Sequence, residues 1–219
     1  MPRRKHVLGI TGNIACGKSV VVSMLGELGA ETMDGDAMVH AMMGPGSALA
    51  PAIRARFGEA TVRDDDSINR PELGKVVFSD PEALEDLEHL IHPLVVAEKR
   101  AAMYRPGPDV LVLDAIKLFE AGIAADCDEV WVVNCSRETQ IERIMARNGV
   151  DRTEAERRID AQPPQSEKVA KADVVIENDG ALSDTRKQVL DAWNRLTGQD
   201  VSLSSFQPGG GTQNVVRNA

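Results

Sequence analysis

The sequence predicts an α/β domain around a five-stranded parallel sheet, interrupted by a helical block, and three observations carry that reading. Five short apolar runs (5–11, 30–33, 110–114, 129–134 and 174–176) alternate with helix-like segments. The runs at 110–114 and 129–134 are continuously apolar, as strands buried on both faces are. Between the second and third runs, residues 36–105 read as helices and polar turns with no strand, too long for an ordinary crossover.

Taken in order, the first strand feeds a glycine-rich turn and a helix over 18–28, closed by Gly29 in the manner of a C′ residue. The second strand ends in Asp34-Gly35-Asp36, one βαβ unit from the first. Inside the helical block, helices are predicted over 37–43, 48–57, 70–78, 81–91 and 94–104. Pro81 suits a first turn, and Pro93 predicts a break after His92. Asp64-Asp65-Asp66-Ser67 reads as a solvated turn. The fourth strand leads to a helix over 137–147, then to a polar stretch over 148–171 broken by Gln162-Pro163-Pro164-Gln165. A last strand and Asn178-Asp179-Gly180 precede a helix over 183–196. The segment beyond residue 200 is rich in Ser, Gly and Asn and is expected to be disordered.

Composition narrows the class. The 219 residues suffice for one well-filled α/β domain with insertions, and no apolar run approaches the ~20 residues that cross a bilayer. Aromatics make up 3%, so the core must be built of Val, Leu, Ile, Ala and Met. With 34 acidic against 25 basic side chains, the net charge of −9 argues against a nucleic-acid binder. No membrane role is expected, and length and acidity fit a monomer or a small homo-oligomer equally. Three cysteines without metal-site or thioredoxin-like spacing, and no secretory signal, point to the cytoplasm.

Residues 12–19 read Gly-Asn-Ile-Ala-Cys-Gly-Lys-Ser, the pattern G-x-x-x-x-G-K-[ST] without a mismatch, and they stand between a strand and a helix. Such a loop curls successive backbone N–H groups toward one anion, helped by the positive end of the following helix. Gly12, Asn13, Ile14, Ala15, Cys16, Gly17 and Val20 would supply that cradle. Lys18 would neutralise the β and γ phosphates, and the Ser19 hydroxyl would ligate Mg²⁺. The chain is therefore expected to bind a nucleoside triphosphate. No Asn-Lys-x-Asp guanine-reading sequence occurs, and the strand ending at Asp114 continues into Ala115 and Ile116 without the Glu of motor ATPases.

Asp34 and Asp36 flank Gly35 at the tip of the second strand, where a carboxylate can take a proton from an attacking hydroxyl. Asp36 could equally cap the helix that follows it. Arg143 and Arg147 share one helix face. Arg147 suits the helix dipole, and it also suits a guanidinium that bears transition-state charge. Cys16 reads as a small residue in a tight turn, or as a thiol whose pKa a helix N-terminus lowers.

These residues, as an ordered set, resemble the dephospho-coenzyme A kinases. The carriers are Gly9-Ile10-Thr11-Gly12 through Ser19, Asp34-Gly35-Asp36 for the usual Asp-Ala-Asp, and Phe57-Gly58. They continue with Asn69-Arg70, Leu73, Phe78, Leu90-Ile91-His92-Pro93 and Leu118-Phe119-Glu120. Gln140, Arg143, Arg147, Gln162, Ala172-Asp173 and Asn178-Asp179-Gly180 complete them. The resemblance implies a three-layer P-loop kinase fold with strand order 2-3-1-4-5 and transfer of the ATP γ-phosphoryl group to the ribose 3′-hydroxyl of dephospho-CoA, with Mg²⁺. It implies a nucleotide core over 1–36 and 106–200, a lid at about 148–171, a CoA-binding insertion over 37–105 and a tail over 201–219. Asp36 becomes the base or positioner, with Lys18 and Arg147 as its catalytic partners. Arg143 and Asn178 fall on the ATP side, and Asp34, Arg70 and His92 on the acceptor side, although His92 could simply brace a turn.

Three departures stand out. Asn13, Ala15 and Cys16 replace the family's usual Gly, Gly and Ser, which the loop tolerates where φ is negative. Val20 replaces Thr, removing a hydroxyl. Lys117 interrupts the usual Pro-Leu-Leu-Phe-Glu, either as a contact to a ligand phosphate or as a snorkelling surface side chain. The rival readings are a kinase of a nucleoside or nucleotide, and a nucleotide-responsive protein without turnover.

Overall fold

The sheet follows from what lies between its strands, because parallel neighbours can be joined only by long crossovers. The structure, a computed structural model, describes residues 4–203. Strands are β1 (His6–Thr11), β2 (Glu31–Asp34), β3 (Val110–Asp114), β4 (Glu129–Asn134) and β5 (Val174–Glu177). Helices are α1 (Lys18–Glu27), α2 (Gly35–Met42), α3 (Ala50–Phe57), α4 (Arg70–Val77), α5 (Pro81–Tyr104), α6 (Arg137–Asn148), α7 (Arg152–Asp160), α8 (Gln165–Val169) and α9 (Leu182–Thr197). The strands form one parallel sheet in the order β2-β3-β1-β4-β5, as the resemblance implied. Leu8 lies opposite both Val112 and Glu129, and Val132 opposite Val175.

Two compact units share the chain. Among the described residues, one comprises Lys5–Met33 and the chain from Gly107, the other Arg4 and Asp34–Pro106. In the first, Leu8, Ile10, Val112, Trp131 and Val133 pack on Val21, Met24 and Leu25 of α1 and on Val189, Leu190 and Trp193 of α9. The opposite face buries Val130 and Val132 under Leu118, Val169 and Ala172. Both faces are covered, so the central strands show no polar alternation. α1 ends as expected: Gly29 takes φ 97°, the Ala30 N–H donates to the Leu25 carbonyl and the Gly29 N–H to that of Gly26. This double closure satisfies two terminal carbonyls and needs a left-handed residue.

In the second unit, Ile53, Ile68, Leu73, Val77 and Leu87 form a separate core. The acidic run is an exposed turn closing a bridge between Val62 and Ile68, with the Asp65 carboxylate accepting from Ser67. One expectation fails here. Pro93 does not break the chain into two helices, because α5 runs continuously through it. Proline forfeits one backbone bond and crowds the carbonyl four residues back. Leu87, Val95, Lys99 and Met103 are nevertheless buried at spacings of 8, 4 and 4, one continuous stripe whose burial outweighs the local loss.

The polar stretch over 148–171 also holds more structure than expected, namely α7 and α8. Asp151 caps α7 by accepting from the Glu154 N–H at 2.8 Å, while Ala155 and Ile159 pack on Ile141 and Ile144 of α6. Bidentate pairs from Arg152 to Glu138 and from Arg137 to Asp160 brace the two helices. The expected tail over 201–219 lies outside the described residues apart from its first three. Of these, Val201 exchanges two backbone hydrogen bonds with the Asn194 side chain.

Candidate active site

The loop at residues 12–17 leaves β1 at the carboxyl edge of the sheet and enters α1. Two glycines in it are obligatory. A Cβ on Gly12 would lie 2.6 Å from the Val133 carbonyl oxygen, which is backbone and cannot move aside. Gly17 takes φ 90°, and a Cβ there would fall 2.0 Å from Asn178 Nδ2. Ala15 corrects an expectation, because its φ is 62°, in the left-handed region that the usual glycine adopts freely. A Cβ at such a position costs about 1–2 kcal/mol, so the loop carries local strain at Ala15. Asn13 and Cys16 keep negative φ.

The loop is held from behind by side chains. The Asn13 N–H donates to Gln165 Oε1 at 2.9 Å, and the Ile14 N–H to Gln162 Oε1 at 2.8 Å. Gln140 Nε2 donates to the Ile14 carbonyl at 2.8 Å, Arg143 Nη1 to that of Ala15 at 3.2 Å, and Asn178 Nδ2 to that of Cys16 at 2.7 Å. Arg143 also donates to the Asn178 carbonyl at 2.7 Å, and the Thr185 hydroxyl to Asn178 Oδ1 at 2.9 Å. Asn13, Ile14, Arg143 and Asn178, expected on the ATP side, all take part in these bonds, two through backbone amides and two through side chains. The signal for this was present in Gln140, Gln162 and Asn178, which the resemblance picked out without giving the first two a role.

Lys18 forms an ion pair with Asp114 at the end of β3, and both side chains are largely buried. Asp114 was legible as a strand-end carboxylate, but its contact with Lys18 depends on β3 lying beside β1, which only the sheet order establishes. Ser19 and Val20 are exposed in the first turn of α1. The Cys16 thiol, buried, is held below the ordinary thiol range chiefly by a hydrogen bond from the Cys135 side chain, while Cys135 is pushed up by the same neighbour and by burial. All three cysteines are free. On α6, Arg147 is exposed with Nε 3.2 Å from Asn148 Oδ1. Beyond it, hydrogen bonds from Arg157 and then Arg158 push the Glu154 carboxyl down to about 2. Thr139, and then the Ser136 N–H, hold Asp179 below the usual carboxylate range. Lys117 is exposed.

In the helical unit, Asp34 rather than Asp36 caps α2, accepting from the Asp36 and Ala37 N–H groups at 2.9 Å each. The Asp36 carboxylate is exposed and has no hydrogen bond or ion pair among the described residues. This removes the capping alternative for Asp36. Within the same unit, a cleft of about 390 Å³ is lined by His40, Met43, Arg63, Ser67, Arg70 and Pro71. Arg70 Nη1 lies 2.8 Å from His40 Nε2, and Arg63 donates to the Ile68 carbonyl at 3.1 Å. A donor-rich wall of this kind suits an anionic group. His92 is exposed on α5 and does not line the cleft. His40 and Arg63 escaped sequence reasoning, because only the folding of α2 and the 63–68 turn around Arg70 gathers them.

Comparison with known proteins points to one family. A family model described as dephospho-CoA kinase matches residues 6–184. A dephospho-CoA kinase of Symbiobacterium thermophilum is 44% identical over 196 residues, covering 88% of this chain and 82% of the relative. That of Geobacter sulfurreducens is 41% identical over 191 residues, covering 86% and 97%. Among solved structures, TT1252 from Thermus thermophilus superposes with a TM-score of 0.77 at 30% identity, covering 89% of this chain and 99% of its own. Dephospho-CoA kinase from Campylobacter jejuni gives 0.66 at 26% identity, covering 89% and 98%.

Proposed function

The chain belongs to the dephospho-CoA kinase family, and from that premise we propose how its residues carry out the ATP-dependent phosphorylation of dephospho-CoA, the last step of coenzyme A synthesis. The observation that carries the reading is a complete phosphate loop braced from behind, with Lys18 extended to the Asp114 carboxylate at the sheet edge. The loop N–H groups from Ala15 to Val20, together with the α1 N-terminus, receive the triphosphate. Lys18 exchanges its carboxylate partner for the β and γ phosphates. Asp36 accepts the proton of the ribose 3′-hydroxyl, or holds that oxygen in line with the γ phosphorus. Arg147 bears charge on the transferred group, and α7 with the turn that enters it forms the lid. Arg70, with His40 and Arg63, receives an anionic part of dephospho-CoA. Asp34 fixes the start of α2 and so orients Asp36. His92 contributes to the acceptor unit without lining this cleft.

The Ser19 hydroxyl and the Asp114 carboxylate are hard oxygen donors, few in number, as suits a Mg²⁺ ion that keeps most of its waters. When bound, that ion neutralises the phosphate oxygens. Among the described residues no helix is long and apolar enough to cross a membrane, and with free thiols we place the enzyme in the reducing cytoplasm.

The test is product analysis after incubation with ATP, Mg²⁺ and dephospho-CoA, beside parallel incubations with nucleosides and nucleoside monophosphates. CoA and ADP are expected only from dephospho-CoA. Asp36→Asn should keep ATP affinity and lower turnover by about 10²–10⁴-fold. Unchanged turnover in that variant would remove Asp36 from the mechanism.

A further inference from the structure

Two amides of the phosphate loop, those of Asn13 and Ile14, are taken by side chains of one short stretch, the α7–α8 connector and the first residue of α8. Gln165 Oε1 takes the Asn13 N–H at 2.9 Å while its Nε2 donates to the Val133 carbonyl at 2.8 Å, so one side chain ties the loop to the end of β4. Gln162 Oε1 takes the Ile14 N–H at 2.8 Å. The Asn13 side chain, where the family usually has glycine, adds a third tie by donating from Nδ2 to the Pro163 carbonyl at 2.8 Å. That side chain is 5% exposed, and its Oδ1 is buried without a hydrogen-bond partner. A buried orphan acceptor is unfavourable, and such local violations concentrate where function constrains the chain. Ile14 meanwhile packs against Ile141, Ile144, Ala155 and Ile159 of α6 and α7.

We propose that Gln162 and Gln165, aided by Asn13, are positioning residues for phosphoryl transfer: their side-chain carbonyls take two loop amides that ATP does not use and fix the curl that aims the amides of residues 15–20 at the triphosphate. The inference rests on the reading of this loop as the ATP site. It differs from a packing role in one respect, because the working part is an acceptor oxygen and not side-chain bulk. If Gln162 lost its oxygen, the Ile14 N–H would be left unpaired behind the loop, and the curl would relax toward other partners. A displacement of that kind weakens every contact the loop makes to nucleotide and none made by the acceptor.

Two variants separate these roles. Gln162→Met keeps length and volume and removes the acceptor, while Gln162→Glu keeps the acceptor. In Gln162→Met, the Kd for a non-hydrolysable ATP analogue and the KM for ATP should rise by about tenfold. The KM for dephospho-CoA should stay within about twofold. Gln162→Glu should restore nucleotide affinity to within about threefold of the parent. Gln165→Met repeats the test at the Asn13 amide should the first variant fold poorly. Wild-type nucleotide affinity in both Met variants overturns the proposal. So does equal weakening by Met and Glu, or a parallel loss in both KM values. Because the analogue titration needs no acceptor, it reads the latch even if dephospho-CoA proves not to be the substrate.

Discussion

Substituting Gly17 by alanine puts the backbone argument to its hardest test. At φ 90°, any Cβ residue sits in a left-handed conformation, costing about 1–2 kcal/mol. The new methyl would also stand 2.0 Å from Asn178 Nδ2, inside van der Waals contact, and 3.3 Å from Asn178 Cγ. Asn178 cannot swing away cheaply. It is 6% exposed, and its amide holds the Cys16 carbonyl at 2.7 Å and the Thr185 hydroxyl at 2.9 Å. Displacing it breaks both bonds and leaves a buried acceptor unpaired, about 1–3 kcal/mol. Together the two effects predict a loss of about 2–5 kcal/mol. In a chain of 219 residues, this lowers Tm by about 4–20 °C. Urea unfolding followed by tryptophan fluorescence measures the free energy, since Trp131 and Trp193 are both buried in the core behind the loop. A double-mutant cycle with Asn178→Ala isolates the clash: the combined variant should lose clearly less than the sum of the two single losses, because the obstructing amide is gone. Destabilisation under about 1 kcal/mol, or additivity within about 0.5 kcal/mol, would refute the geometry on which the loop description depends.

Further outcomes follow from the same coordinates. Ala15→Gly relieves a strain of about 1–2 kcal/mol against an added chain entropy of about 0.5–1 kcal/mol, so urea unfolding should find it as stable as the parent or slightly more so. A loss of about 1 kcal/mol, the ordinary result for a loop alanine, would contradict the left-handed assignment. Asp114→Asn removes the carboxylate that holds Lys18 in the nucleotide-free state. Metal-free ATP should then bind at least as tightly in calorimetry, while Mg²⁺-dependent turnover falls by about 10–100-fold; weaker metal-free binding would count against the exchange of partners by Lys18. The Glu154 carboxyl, brought down to about 2 by Arg157 and Arg158, has a folded pKa below its ordinary 4.5. Its contribution is therefore complete above the ordinary value and disappears as pH falls toward the folded one. Thermal unfolding should show Tm falling between about pH 5 and pH 2, and Glu154→Gln should flatten that fall. An unchanged slope in the variant would remove the ion pairs of α7 as its cause.

Local chemistry was enough to read much of this protein. The apolar runs at 110–114 and 129–134, the glycine after α1 and the phosphate-loop pattern each encode their conformation within a few residues. Steric freedom at glycine and the burial of consecutive apolar side chains do not depend on distant partners. Two features were closed to that kind of reading. Pro93 looked like a stop because its local cost is visible, while the buried stripe that outweighs it appears only once Leu87, Val95 and Met103 are seen on one face. α7 carried a legible Asp151-x-x-Glu154 cap, but polarity masked it, since its apolar face is only Ala155 and Ile159 and gains its value from Ile141 and Ile144 on α6.

The site divides in the same way. Sequence by itself determined which residues could meet a triphosphate, because a motif fixes residue type and spacing. Tertiary structure alone decided what several of them do. Asn13 and Ile14 turn their amides toward Gln165 and Gln162, some 150 residues further along the chain, and Asn178 is held against Cys16 at a separation of 162. Lys18 finds Asp114 only because β3 lies beside β1. A hydrogen bond needs two groups within about 3 Å, and a one-dimensional pattern carries no information on which distant groups the fold will bring that close.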